Sequence, residues 1–471
     1  MSRTISIVVF IALVFSYFMA DAQTHDTTAV TSDFVVRDIM IAGNRTTKDF
    51  IVRRELLFTE GDTLQAEDVD AILLRSKENL LNTSLFNYVT ISLIDVNEHE
   101  KQVLVMLEER WYWWPYLIFE QADRNLSAFF NDGDWSRINY GLMLINNNFR
   151  GRAETLKVKF RLGYKKQFQI FYDIPYITAD KKHGLAVQLS FYRQNEVRFA
   201  TDSCKPLYFR DDKRQVIDNQ DLFLFYTFRP KYDIRHTITA SYAHANVADT
   251  IVALNPDYFS TQTSRTQYLT LSYTFDWDTR DYKFYPLKGH NVTLEVGKTG
   301  LDLLDNELDG SWYTRLSAYK YFDLGHRFYA GVGGLAKYSP DKPQPYYTER
   351  ALGYEDYLRG FEYYVIDGQR FATGRAFAKF ALLPMQIKKI DSWSWDEFNK
   401  VHYSFYLNLF VDAGYVDDSR VGTNNYLSNK LLTSAGIGLD MITYYDIVFR
   451  LEGTVTRQGK SGLYVHVLKA F

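Results

Sequence analysis

The chain has 471 residues, 54 basic and 57 acidic side chains for a net charge of −3, a single cysteine (Cys204) and 17% aromatic residues. This balance excludes nucleic acid as a partner, which requires a strongly basic face, and one thiol excludes intramolecular disulfides and multi-thiolate metal sites. The 36 Tyr and 34 Phe at slightly negative mean hydropathy fit an exported β protein that carries aromatics in interfacial girdles.

Arg3 precedes an apolar run from Ile5 to Ala20, and Ala20-Asp21-Ala22 supplies the small-x-small pattern that signal peptidase reads. Residues 1–22 are expected to be a signal peptide. A membrane-anchoring helix is the alternative, although the run falls short of the roughly 20 residues a span needs. Residues 23–33, rich in Thr, Ser and Asp, read as a linker.

Residues 34–110 predict a strand–helix–helix–strand–strand unit. Val35 to Ala42 alternates and closes at Gly43-Asn44, and a helix start at Thr46 and Thr47 leads into Phe50, Ile51 and Leu56. A second helix carries Val69, Ile72, Leu73, Ser76 and Leu80 on one stripe. Tyr88 to Val96 and Val103 to Leu107 alternate as paired strands across Asn97-Glu98-His99-Glu100.

From residue 111 to 471 the period becomes two and stays so. The runs are Trp111–Glu120, Ile138–Ile145, Thr155–Leu162, Phe168–Asp173, Gly184–Tyr192, Asp221–Phe228, His236–His244 and Tyr268–Trp277. The second half supplies His290–Gly297, Trp312–Phe322, His326–Lys337, Ala372–Leu382, His402–Val411, Leu432–Asp440, Ile447–Val455 and Gly462–Phe471. Sixteen strands in an open sheet would expose two long edges, so closure is expected. The fold class is mostly β: a 16-stranded antiparallel transmembrane β-barrel preceded by one small α+β (βααββ) domain. Connections after even-numbered runs are mostly short, whereas Arg193–Gln220, Ala245–Gln267, Tyr338–Phe371 and Asp412–Lys430 are long, as in barrels with turns at one end and loops at the other. Pro384–Val401 breaks this rule and has no account from sequence.

The segment Arg110-Trp-Tyr-Trp-Trp-Pro-Tyr-Leu-Ile-Phe-Glu120 reads as the first barrel strand, with both ends at the interfacial girdles. Trp113, Pro115 and Leu117 would then lie at the seam with the last strand, where Pro115 removes a ladder donor and weakens closure. A bulge or strand start at Pro115, without functional meaning, is the alternative.

The first unit resembles a polypeptide-transport-associated (POTRA) domain. The remainder resembles the barrel of the BamA/TamA superfamily of outer-membrane assembly factors, the bacterial surface antigen type. The motifs are Asn148-Phe149-Arg150-Gly151, Asp278-Thr279-Arg280-Asp281 with Pro286 and Gly289, Leu358-Arg359-Gly360-Phe361, and Phe410-Val411-Asp412-Ala413-Gly414, in family order. The resemblance implies a loop folded into the lumen whose Arg359 pairs with Asp412 on strand thirteen, with Gly360 allowing a sharp turn. Where the family often adds a glutamate on strand twelve, this chain has Arg375-Ala-Phe-Ala-Lys379, which leaves a second acidic partner unsupported and suggests weaker docking. At the C-terminus Leu463, Val465, Val467 and Phe471 alternate outward, interrupted by Lys469, and resemble the signal by which such barrels are recognised for insertion.

The resemblance implies an outer-membrane location with the POTRA-like domain in the periplasm, and a non-enzymatic insertion or translocation factor working through a laterally opening seam. Its expected partners are outer-membrane lipids, unfolded outer-membrane or secreted clients, and accessory lipoproteins. The barrel is expected to be monomeric, with no cofactor or metal. A secretion transporter dedicated to one partner and a static pore remain open alternatives. An enzyme finds no support, since no phosphate loop, GxSxG elbow or HExxH motif is present.

Overall fold

The computed structural model describes residues 32–121, 138–340, 344–389, 400–419 and 424–468. The expected signal peptide, nearly all of the linker, and Lys469 and Phe471 lie outside the described residues.

The N-terminal domain comprises β1 (Phe34–Ala42), α1 (Asp49–Glu55), β2 (Thr63–Leu64), α2 (Val69–Asn82), β3 (Phe86–Asp95) and β4 (Glu100–Glu109). Its sheet has the order β2-β1-β4-β3, with β1 and β4 parallel. Alternate residues of the strands, Val36, Val89, Val103 and Val105, meet Ile51, Val52 and Leu80 of the helices in one core. The two-residue β2 was not legible in sequence because it has no period of its own; it is held by pairing with Phe34 and Val35.

The second body is one antiparallel sheet of sixteen strands, each paired with its sequence neighbours in the sheet. The first half contains β5 (Trp113–Gln121), β6 (Ile138–Phe149), β7 (Glu154–Gly163), β8 (Lys165–Ile174), β9 (His183–Gln194), β12 (Ile217–Lys231), β13 (Ile234–Val247) and β14 (Arg265–Asp278). The second half contains β15 (Gly289–Thr299), β16 (Ser311–Gly325), β17 (Phe328–Tyr338), β18 (Arg370–Lys389), β19 (Lys400–Asp417), β20 (Leu432–Thr443), β21 (Ile447–Thr456) and β22 (Ser461–Leu468). Along β19 the alternation is plain: Ser404, Tyr406, Asn408, Phe410 and Asp412 are buried inside, while Leu409, Val411 and Tyr415 are exposed outside. An apolar outer face with charges turned inward is the pattern of a membrane barrel.

Several connections differ from expectation. Arg193–Gln220 is not an irregular loop: β9 and β12 extend into it, and a hairpin of β10 (Glu196–Asp202) and β11 (Lys205–Arg210) fills its tip. Ala245–Gln267 contains the short helix α3 (Asp249–Leu254). The anomalous Pro384–Val401 connection is strand at both of its described ends, because β18 and β19 stay paired down to Lys389 and Lys400; residues 390–399 lie outside the described residues. The ribbon runs beyond its neighbours, since β17 pairs with β18 only as far as Phe380 and β20 with β19 only as far as Ser404; register breaks lie around Pro384, which has no N–H to give the ladder. The ribbon meets the N-terminal domain: Lys400 pairs with Glu108 and lies 5.2 Å from the Tyr88 ring, which packs edge-on to His402. The extension of β19 therefore serves a contact with the N-terminal domain.

The aromatics of β5 also divide differently from expectation. Trp113, Leu117 and Phe119 are exposed on the outer face, but Trp114 and Tyr116 are turned inward. Trp114 packs edge-on to Tyr445 at 4.7 Å, and the Trp111 N–H donates to the Tyr445 hydroxyl at 3.0 Å. Only the outward set can serve an interfacial girdle. The described register runs from β22 round to β5 and includes no ladder between these two ends.

Leu271, at the centre of β14 and exposed, is expected to face hydrocarbon. Leu271→Arg should cost roughly 2–4 kcal/mol in unfolding from lipid vesicles, whereas Thr239→Arg, turned inward on β13, should cost much less.

Candidate functional site

The connection between β17 and β18 folds into the barrel and buries Leu358, Arg359, Gly360 and Phe361. The Arg359 guanidinium donates to both oxygens of Asp412, Nε to Oδ2 at 2.8 Å and Nη2 to Oδ1 at 2.5 Å. Its third nitrogen, Nη1, donates to Glu452 Oε1 of β21 at 3.3 Å, and its plane lies 3.6 Å from the Phe410 ring centre. Gly360 has φ 85°, and a Cβ there would come within 2.9 Å of Thr456 Cγ2, so a side chain is excluded twice over. Gly414 lies beneath Leu358, whose methyls would stand 3.3 and 3.4 Å from a Cβ at that position.

The second acidic partner unsupported in sequence is thus Glu452, and it comes from strand fifteen rather than strand twelve. Strand twelve instead supplies Arg375, which donates to the Tyr357 carbonyl and stands 3.7 Å from Asp412. Arg450 on β21 holds Asp440 through 2.8 and 3.1 Å bonds. Three guanidiniums therefore face Asp412, Asp440 and Glu452, a balance that a buried set needs. The loop also reaches the last strand: the Tyr464 hydroxyl donates to the Gly360 carbonyl at 3.4 Å, and His466 Nε2 lies 3.5 Å from Glu452. Val465 and Val467, with Leu463, point outward from β22 and are exposed.

The Asp278–Gly289 turn is tied to itself by Asp278, which accepts two bonds from Arg280 at 2.8 and 2.7 Å, and by Asp281, which caps the Leu287 and Lys288 N–H groups. Gly289 opens β15. The turn then crosses the near end of the lumen: Tyr285 donates to Asp440 of β20 at 2.7 Å, and Tyr282 donates to Asp446 in the turn between β20 and β21. Asp446 is also gripped by Arg110, the residue leading from the N-terminal domain into β5, at 2.5 and 3.1 Å. Three parts of the chain converge on one buried carboxylate.

A second anchor is Glu55 of α1, fully enclosed and bonded by Arg229 at the end of β12 at 2.7 and 2.9 Å and by Arg54 at 2.8 Å. Burial raises the Glu55 pKa, but Arg229 and Arg54 outweigh it and hold the carboxyl below its ordinary value. The domain further bonds the β6–β7 turn through Lys48 and Gly151, the β8–β9 turn through Arg54 and Lys181, and the β14–β15 turn through Asn82 and Asp281. With Asp446 and the β18–β19 ribbon, it touches six of the seven near-end connections and so lies across the mouth. Glu55, Arg229, Tyr282, Tyr285, Asp446 and Glu452 were invisible as a set in sequence. The nearest signal was the paired positive φ of Tyr445 and Asp446, which only the structure displays.

The chain matches the Omp85 superfamily domain over residues 148–443, and residues 34–110 match the surface antigen variable number repeat, a POTRA unit. The chain belongs to the Omp85 superfamily. Among solved structures it is similar to CdiB from Escherichia coli (12% identity, TM-score 0.55, covering 92% of this chain and 76% of that one). It also aligns with BamA from Haemophilus ducreyi lacking POTRA domains 1–3 (16% identity, TM-score 0.49, covering 92% and 84%). Omp85 proteins are outer-membrane β-barrels with periplasmic POTRA domains that handle client proteins with accessory proteins, and are not enzymes. Within this Omp85 chain, the four turn and loop motifs all sit at lumen or domain contacts.

Asp412→Ala leaves Arg359 with one acid and should lower barrel stability by roughly 3–5 kcal/mol, read as a lower temperature for the folded-to-unfolded gel shift. Glu55→Gln should loosen the POTRA domain without unfolding the barrel. Because the folded pKa of Glu55 is depressed, its contribution is complete above its ordinary value of 4.5 and is lost as pH falls below that through the folded value. Acid should therefore increase hydrogen exchange in α1 and the 229–232 turn of the wild type more than in Glu55→Gln.

Proposed function

We propose that this chain is a non-enzymatic assembly or translocation factor of the outer membrane, with its POTRA domain in the periplasm receiving client segments as added β-strands. The carrying observation is the asymmetry of the POTRA sheet. The β1 edge is sealed: the Ile39 N–H donates to Glu60 at 3.2 Å, its carbonyl accepts from Arg53 at 3.1 Å, and Val36 exchanges bonds with Gly61 and Asp62. The opposite edge, β3 from Thr90 to Asp95, has no strand beyond it among the described residues. An exposed edge of that kind recruits extended polypeptide through main-chain bonds.

Support for a seam between β5 and β22 comes from the exposed Leu117 and Phe119 on one side and Leu463, Val465 and Val467 on the other. Folding of the client would supply the energy. A static pore fits less well, since Arg359, Tyr285 and the POTRA domain all cross the path through the barrel. Accessory proteins and the identity of clients would be set at the POTRA edge and outer loops.

A cysteine pair near Leu117 and Val465 in a Cys204→Ser background tests the reading. Oxidised protein should fold and reach the membrane yet fail to restore outer-membrane protein levels in a depletion strain, with recovery on reduction. Full restoration by the locked protein would remove lateral opening from the mechanism.

A further inference from the structure

A cavity lies outside the lumen, where the POTRA domain meets the start of β5 and the β6–β7 turn. It has a volume of about 830 Å³, and its walls include Arg45, Lys48, Trp111, Trp113, Arg150 and Lys400. Most of its charges are already matched: Lys400 pairs with Glu108, Arg150 with Glu154, and Arg110 with Asp446. Glu109 is occupied by the N–H groups of Thr46 and Thr47 at 3.0 and 2.7 Å. Arg45 and Lys48 remain, exposed and without an ion-pair partner among the described residues. The groove therefore holds two cations without an ion-pair partner beside two tryptophans, with one carboxylate, Glu109, held by neutral main-chain N–H groups.

An apolar strip begins at this groove. Trp113, Pro115, Leu117 and Phe119 follow one another up the outer face of β5, with Leu117 85% and Phe119 75% exposed. Six residues of strand cover about 20 Å, and half of a hydrocarbon core is about 15 Å thick. The strip is long enough to lie along an acyl chain of one leaflet. A cationic pocket at its foot, flanked by indoles of the type that settle at membrane interfaces, matches an amphiphile with an anionic head and apolar tails. Guanidinium and ammonium groups are the side chains that bind phosphate oxygens.

We infer that this groove binds the phosphate headgroup of one glycerophospholipid of the periplasmic leaflet, with Arg45 and Lys48 holding the phosphate and the acyl chains lying on Trp113, Leu117 and Phe119. The ordered lipid would stand against the first barrel strand, at the foot of the seam, and would make the POTRA–barrel junction sensitive to leaflet composition. A free oxyanion would use only the cations, and a client strand would not need them. The inference rests on the membrane placement proposed above, but not on lateral opening.

The test compares the full wild-type chain, an Arg45→Glu/Lys48→Glu double variant and a Lys77→Glu control on the exposed face of α2, each extracted from membranes and examined by native mass spectrometry. Wild type and control should each retain one phospholipid. The double variant should lose occupancy on the order of tenfold, with an unchanged heat-dependent gel shift showing that the barrel is intact. In nanodiscs, a photoactivatable phosphatidylglycerol should label the 43–48 and 111–117 segments, and 10 mM inorganic phosphate should not compete. Equal lipid retention in wild type and double variant, full competition by phosphate, or a retained peptide in place of lipid would overturn the site. A chain that stays monodisperse without detergent would instead refute the membrane placement, which keeps the two failures apart.

Discussion

A sheet with an apolar outer face must turn every charge it carries into its own interior, and within a closed barrel those charges can be satisfied only by one another. That constraint explains the centre of this molecule. Arg359, Arg375 and Arg450 face Asp412, Glu452 and Asp440, and the loop that brings Arg359 is held because its guanidinium has no better solvent. Burial alone would penalise each of these groups heavily, and the arrangement holds because each acid meets a guanidinium, Asp412 and Asp440 bidentately. Loop docking and strand closure are thus parts of one electrostatic balance, reaching β22 through Tyr464 and His466.

The near end of the barrel repeats the principle at a junction between domains. Asp446 joins the POTRA linker, the seam-side hairpin and the turn that crosses the lumen, while Glu55 fastens α1 to the opposite rim. Displacing the POTRA domain would expose these carboxylates to water and remove the Asn82 bonds to Asp281 and Lys283 of the turn that crosses the lumen. The β18–β19 ribbon adds a third attachment, made possible because its two strands stay paired beyond the ends of β17 and β20. Domain position and access to the lumen are consequently linked through a few buried ion pairs, beside the apolar contact that Tyr112 and Tyr176 make with the POTRA core.

Sixteen strands, their order and the small domain ahead of them were legible because period-two and 3.6-residue patterns are local properties, readable wherever one face of an element is buried. The motifs around Asp278, Arg359 and Asp412 were likewise visible as residues. Their partners were not. Glu452 sits 93 positions from Arg359, and Asp446 sits 336 positions from Arg110, so neither pairing leaves a spacing in the sequence. The second acid for Arg359 stayed unsupported in sequence because the resemblance looked to strand twelve, whereas strand fifteen supplies it through Glu452.

The amino-acid order by itself determined which stretches alternate, which side chains are apolar and where turns can occur, since these depend on neighbours in the chain. Only the tertiary structure decided which charges share a lumen wall, which POTRA edge is sealed, and that β18 and β19 stay paired as far as Lys389 and Lys400. Those outcomes depend on how a sheet curves and on what its far strands bring round to meet it, and no local pattern encodes that distance.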